Sequence, residues 1–127
     1  MLLTETAPAC QPNTQSFLDR DHGLLIGGAW VPAVSNATFE VHNPADGQVI
    51  SRVAEGDRED IDRAVAAARR AFESGAWPKL TPSERGKLLW NLADLLEAHL
   101  DELAELESLD NGKPKAVAAA ADVPLAV

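Results

Sequence analysis

Between Thr81 and Leu109 the chain carries more apolar surface than one helix can turn toward one neighbour. Leu88, Leu92, Leu95, His99 and Leu103 recur at helical spacing and form one stripe. Leu89, Leu96, Leu100 and Leu106 widen it, and Trp90 lies on another side. An amphipathic surface helix needs an apolar stripe of only about 100°, so a wider one implies packing on more than one partner. The boundaries are well marked. Thr81-Pro82-Ser83-Glu84 has the form of a capping box with proline at the first helical position. Asn111-Gly112, followed by Lys113 and Pro114, supplies a left-handed stop. One unbroken helix to about Leu109 is expected.

The segments before it are of two kinds. Leu24-Leu25-Ile26 and Ala29-Trp30-Val31 flank Gly27-Gly28, and a Gly-Gly pair between short apolar runs is a primed-turn hairpin signal. Pro32 ends the second strand. Thr38 to His42 alternates, with Phe39 and Val41 on one face and Glu40 and His42 on the other. Asn43 to Gly47 is turn chemistry, and Val49 to Ala54 is a further strand. At Glu55-Gly56 the period changes from 2 to 3.6: Asp57 is an N-cap, Glu59 and Asp60 lie in the first turn, and Ile61, Val65, Ala68 and Phe72 mark a helical face. Ser74-Gly75 and Trp77-Pro78 stop that helix. Ala116 to Ala121 begins a third, interrupted near Pro124. At the front, Met1 to Gln15 reads as a mobile leader without the charged and apolar regions of a secretory signal, and Ser16 to Gly23 as one short helical turn. The expected architecture is two β-hairpins, two α-helices and the start of a third.

Charge narrows the range of partners. There are 11 Lys and Arg against 20 Asp and Glu, a net charge of -9. That balance disfavours a phosphate backbone and an anionic membrane surface. No apolar run approaches the ~20 residues that span a bilayer, so neither nucleic acid nor membrane is expected as a partner. A single cysteine, Cys10, permits no internal disulfide and fits a reducing compartment, so a cytoplasmic location is expected.

Self-contained chemistry is not evident. The glycines at 23, 27, 28, 47, 56, 75, 86 and 112 fit no phosphate-binding loop. Cys10 sits in a Pro-rich segment with nothing nearby in sequence to stabilise its thiolate. His22, His42 and His99 lack metal-ligand spacing. Glu97, Asp101, Glu102, Glu105, Glu107 and Asp110 crowd the end of the long helix. They read as a solvated face, with a cation partner for one of them as the alternative, since anions sit poorly at a helix C-terminus.

Several stretches in fixed order carry a resemblance. They are Leu25-Ile26-Gly27-Gly28-Ala29-Trp30-Val31, Phe39 to Gly47 (FEVHNPADG), Val53 to Asp57 leading into Asp60 to Phe72, Trp77, Ser83 to Leu89, Leu92 to Glu97, and Glu107 to Pro114 (ESLDNGKP). Each is weak alone, but the ordered set, from about Leu24 to Val127, resembles the N-terminal region of the aldehyde dehydrogenase superfamily. Phe17 to Gly23 is similar to the lead-in of phenylacetaldehyde dehydrogenases.

The resemblance implies an α/β family fold with nucleotide-binding, catalytic and oligomerisation parts. Residues 16–127 would form the N-terminal part of an incomplete nucleotide-binding domain, with the other two absent. It implies an enzyme, a homo-oligomer (dimer or tetramer), that oxidises an aldehyde, such as phenylacetaldehyde, to its acid with NAD or NADP. The family's mechanism is thiolate attack, hydride transfer and glutamate-assisted hydrolysis of the thioester. The residues for that chemistry match no position here, so no catalytic or cofactor-binding residue is assigned. An inactive chain that binds cofactor poorly is expected. Some family members hold a monovalent cation, for which the matching positions are the backbone carbonyls of Val41 and His42 and the carboxylate of Asp110. The alternative is a stand-alone, non-catalytic binding or assembly module of the same descent.

Overall fold

A computed structural model describes residues 10–127. After a short helix, α1 (Pro12–Leu18), come two antiparallel strand pairs. In the pair β1 (Leu24–Ile26) and β2 (Ala29–Val31), Leu25 lies opposite Trp30. Gly27 and Gly28 take φ of 63° and 86°, the two positive values that a primed turn demands. In the pair β3 (Thr38–His42) and β4 (Val49–Ala54), Phe39 faces Val53 and Val41 faces Ser51, but His42 faces Val49. The register therefore jumps between Val41 and His42, leaving Ile50 without an opposite residue. Such a bulge locally opens the ladder. A bridge between His22 and Val53, with the Ala54 amide donating to the His22 carbonyl at 2.8 Å, lays the entry to β1 alongside β4.

Two 17-residue helices follow, α2 (Arg58–Ser74) and α3 (Pro82–Ala98), separated by a 3₁₀ turn at Trp77–Lys79. Both open with full capping boxes. Asp57 accepts from the Glu59 amide (3.0 Å) while Asp60 reaches back to the Asp57 amide (3.3 Å), and Thr81 and Glu84 do the same for α3. These side chains satisfy amides that a helix start otherwise leaves unpaired.

The sequence reading is corrected at three places. The long helix is not continuous: His99, at φ −107° and ψ 19°, separates α3 from α4 (Leu100–Asn111). The two pieces both reach the C-terminal helix, but the second is packed on more sides. Leu100, Leu103 and Ala104 of α4 pack with Ala118, Ala119 and Val123, whereas Leu88, Leu89, Leu92 and Leu95 of α3 remain about half exposed. Second, the third helix is not broken by Pro124. Short α-helical pieces α5 (Lys115–Val117) and α6 (Val123–Ala126) are joined by a π-helical turn at Ala118–Asp122. The proline, which has no N–H to give, falls just after this change of hydrogen-bond register. Third, helix α1 spans Pro12–Leu18, so residues 12–15, assigned to the leader, are helical, and Thr14 is fully buried. Residues 1–9 lie outside the described residues.

Burial is confined to small side chains. Among the described residues the buried apolar side chains are Ala33, Ala67, Ala104, Ala118 and Val123, while Ile61, Val65 and Phe72 of α2 and Trp90 of α3 are between 59% and 74% exposed. That leaves a wide apolar face on each of the two longest helices.

Candidate functional site

The turn after β3 and the end of α4 meet. Gly112, the C-cap of α4, has φ 77°, and a Cβ built on it would lie 2.9 Å from Pro44 Cγ. The left-handed stop thus also permits a close approach of the helix end to the Asn43–Gly47 turn. Beside this junction opens a cavity of about 530 Å³, walled by α1, the strands and α4. Its lining is mostly apolar and includes Leu18, Ile50, Val53 and Leu106. Val41, Glu107 and Asp110 also line it.

Of the three residues matched to a family cation site, the fold brings Val41 and Asp110 to this one cavity. His42 is not part of its lining. The His42 ring lies on the exposed side of the hairpin, with Nδ1 3.2 Å from the Gly47 carbonyl and Nε2 3.6 Å from Glu40, leaving only its backbone for a cation. The bulge between Val41 and His42 fits that use, because carbonyls at a bulge are not all taken by the ladder. Among the described residues no three His, Cys, Asp or Glu side chains converge as a metal site. A cation held by carbonyls and one carboxylate would be a hard, oxygen-seeking ion.

The crowd of acids resolves residue by residue. Glu102 lies 3.2 Å from His99 Nδ1. Glu105 meets Lys115 Nζ at 3.3 Å, and Glu107 accepts from Asn111 with Lys113 Nζ 4.0 Å away. Lys113 in turn meets Asp122 at 2.5 Å; the bond to Asp122, with Glu107 adding, holds its ammonium above the usual lysine range despite some desolvation. Cations past the end of α4 thereby offset the helix dipole. Asp110 has no ion pair among the described residues.

Sequence reasoning missed two carboxylates. Asp60, read as an ordinary first-turn acid, is 1% exposed and accepts from Val34, Asp57 and Arg63. Glu105 is desolvated, which by itself raises its pKa. The facing Thr14 hydroxyl (which closes no hydrogen bond of good geometry), the Gln11 amide at 3.0 Å and Lys115 outweigh this and lower it. Neither carries a sequence signal for burial, because the groups it serves lie 26 and 94 residues away. Cys10 is half-buried; desolvation, with Glu105 adding and Lys115 and a backbone hydrogen bond opposing, pushes its thiol up, the reverse of what a nucleophile needs. The His22 ring packs at a tilt of 43° against Phe17 (ring centroids 4.7 Å apart), with a buried Nε2 that has no partner among the described residues.

The starts of the three longest helices do not suit a dinucleotide phosphate. The first turns of α2 and α3 are already filled by the chain's own carboxylates, and α4 opens with Asp101 and Glu102. An anion would meet like charge where it needs free amides.

With this geometry in place, likeness to known proteins is decisive. The model of the aldehyde dehydrogenase family matches residues 30–127. Benzaldehyde dehydrogenase of Antirrhinum majus is 52% identical over 104 residues, covering 82% of this chain and 20% of that protein. Phenylacetaldehyde dehydrogenase of Pseudomonas fluorescens is 52% identical over 92 residues, covering 72% and 18%. The solved NAD+ complex of aldehyde dehydrogenase from Bacillus cereus superposes with a TM-score of 0.87 at 47% identity, over 91% of this chain and 24% of that one. The chain belongs to the aldehyde dehydrogenase family and has its α/β fold in this region. It spans less than a quarter of the length of these relatives.

Proposed function

We propose that this chain is the N-terminal part of the nucleotide-binding domain of an NAD- or NADP-dependent aldehyde dehydrogenase that converts an aldehyde to its carboxylic acid. The supporting observation is the ordered match of residues 30–127 to the family, at a TM-score of 0.87 to a relative solved with NAD+. An aromatic aldehyde such as phenylacetaldehyde is the proposed substrate, since a benzaldehyde and a phenylacetaldehyde dehydrogenase are each 52% identical to the chain and Phe17 to Gly23 is similar to the lead-in of the latter. The chain's own role is architectural. Its hairpins and helices form one flank of the domain, and the exposed apolar faces of α2 and α3 pack on a sheet supplied by the rest of a homo-oligomeric, cytoplasmic enzyme. No step of the chemistry falls to a residue described here. Val41 and His42, through their carbonyls, and Asp110, through its carboxylate, hold a monovalent cation that ties the end of α4 to the β3–β4 hairpin.

The same exposed faces would serve a non-catalytic assembly module, so the test must separate the two. Aldehyde-dependent NADH formation is measured, with phenylacetaldehyde and a short aliphatic aldehyde, for the 127-residue chain and for any longer product of its gene. Activity confined to the longer product supports the enzyme reading. The lack of any longer product favours the module. Activity of the short chain by itself overturns the placement of the chemistry outside it.

A further inference from the structure

We propose that α1 is a strap that closes one wall of the cavity and that Glu105 is the latch holding it shut. Seven residues are too few for a helix to persist alone in water, and Gln11 at the N-cap gives α1 no side-chain cap. It is therefore helical only while docked, and two fasteners dock it. At its start the Gln11 amide donates to Glu105 Oε2 at 3.0 Å, and Lys115 Nζ holds the other carboxylate oxygen at 3.3 Å. At its end the Ser51 hydroxyl on β4 donates to the Leu18 carbonyl at 3.0 Å. Thr14, fully buried, seals the space between.

What the strap covers follows from Phe17. Its ring, with Leu103 and Leu106, lines both the 530 Å³ cavity and a neighbouring one of about 500 Å³. Undocking α1 would remove the partition and join the two spaces, opening the Leu103–Leu106 side of α4 to solvent.

The test is amide hydrogen exchange on the whole 127-residue chain, with the β3–β4 amides as folded reference. Removing a hydrogen bond to a charged acceptor should raise exchange of the helix-bonded amides of residues 15–18 about tenfold in Glu105→Ala, and several-fold in Ser51→Ala, with β3–β4 unchanged. In a Cys10→Ser background, maleimide should label Leu106→Cys correspondingly faster when Glu105→Ala is added. Three results overturn the proposal: α1 amides that already exchange freely in the unsubstituted chain, α1 exchange unaffected by Glu105→Ala, or protection lost equally in β3–β4.

Discussion

Asp60 accepts the amide of Val34 through both carboxylate oxygens, at 3.2 Å each, and so fastens the loop after β2 to the first turn of α2. One side chain thus closes the Asp57 capping box, receives Arg63 and ties the first hairpin to a helix. Asp60→Ala should cost about 2–4 kcal/mol, because it strands a loop amide and a helix-start amide together. Asp57→Ala removes a more exposed cap and should cost about 1 kcal/mol. Urea unfolding followed by far-ultraviolet circular dichroism measures both.

Gly112 is under two constraints, a left-handed φ of 77° and Pro44 Cγ standing 2.9 Å from where a Cβ would lie. Gly112→Ala should therefore destabilise the chain by about 1–3 kcal/mol. Pro44→Ala should recover only the steric share. A double-mutant cycle in urea that shows no coupling would place the whole effect in the backbone.

Two carboxylates set the acid limb of stability. Thr81 lowers the pKa of Glu84 through backbone and side-chain hydrogen bonds, and Glu105 is lowered as described above. A depressed folded pKa stabilises above the unfolded value, about 4.3 for glutamate, and that contribution is lost as pH falls through the folded value. The stability of the chain should therefore be flat near neutrality and fall below about pH 4. Glu105→Gln should flatten that fall more than Glu84→Gln, since the Glu84 carboxylate is fully exposed.

If Asp110 and the carbonyls at the β3 bulge hold a cation, sodium or potassium chloride should raise the thermal midpoint above that in choline chloride at equal ionic strength. Asp110→Asn should abolish the difference. Glu97→Gln, on an exposed position of α3, should leave it intact.

Phe72 at 73% and Trp90 at 74% exposure, beside half-exposed leucines on α3, leave more apolar surface open than a monomer of this size usually tolerates. Sedimentation of the purified chain should show self-association. Phe72→Ser with Trp90→Ser should shift it toward monomer without lowering helix content.

By itself the sequence determined what is local. Gly27-Gly28 fixed the first turn, Asp57 and Thr81 the helix starts and Gly112 the stop at the end of α4, because each depends on backbone preferences of a few adjacent residues. The ordered boxes from Leu25 to Pro114 placed the chain in its family on the same local evidence. Tertiary structure decided the rest. It divided the long helix at His99: α3 and α4 both reach α6, but α4 packs in addition on α1 and on the Ala118–Asp122 turn. It made a helix of Pro12–Leu18 by giving Gln11 an acceptor 94 residues away, and among a surplus of acids it buried Asp60 and half-buried Glu105. Periodicity reports that a face must be covered; which groups cover it depends on chain segments brought together from far apart.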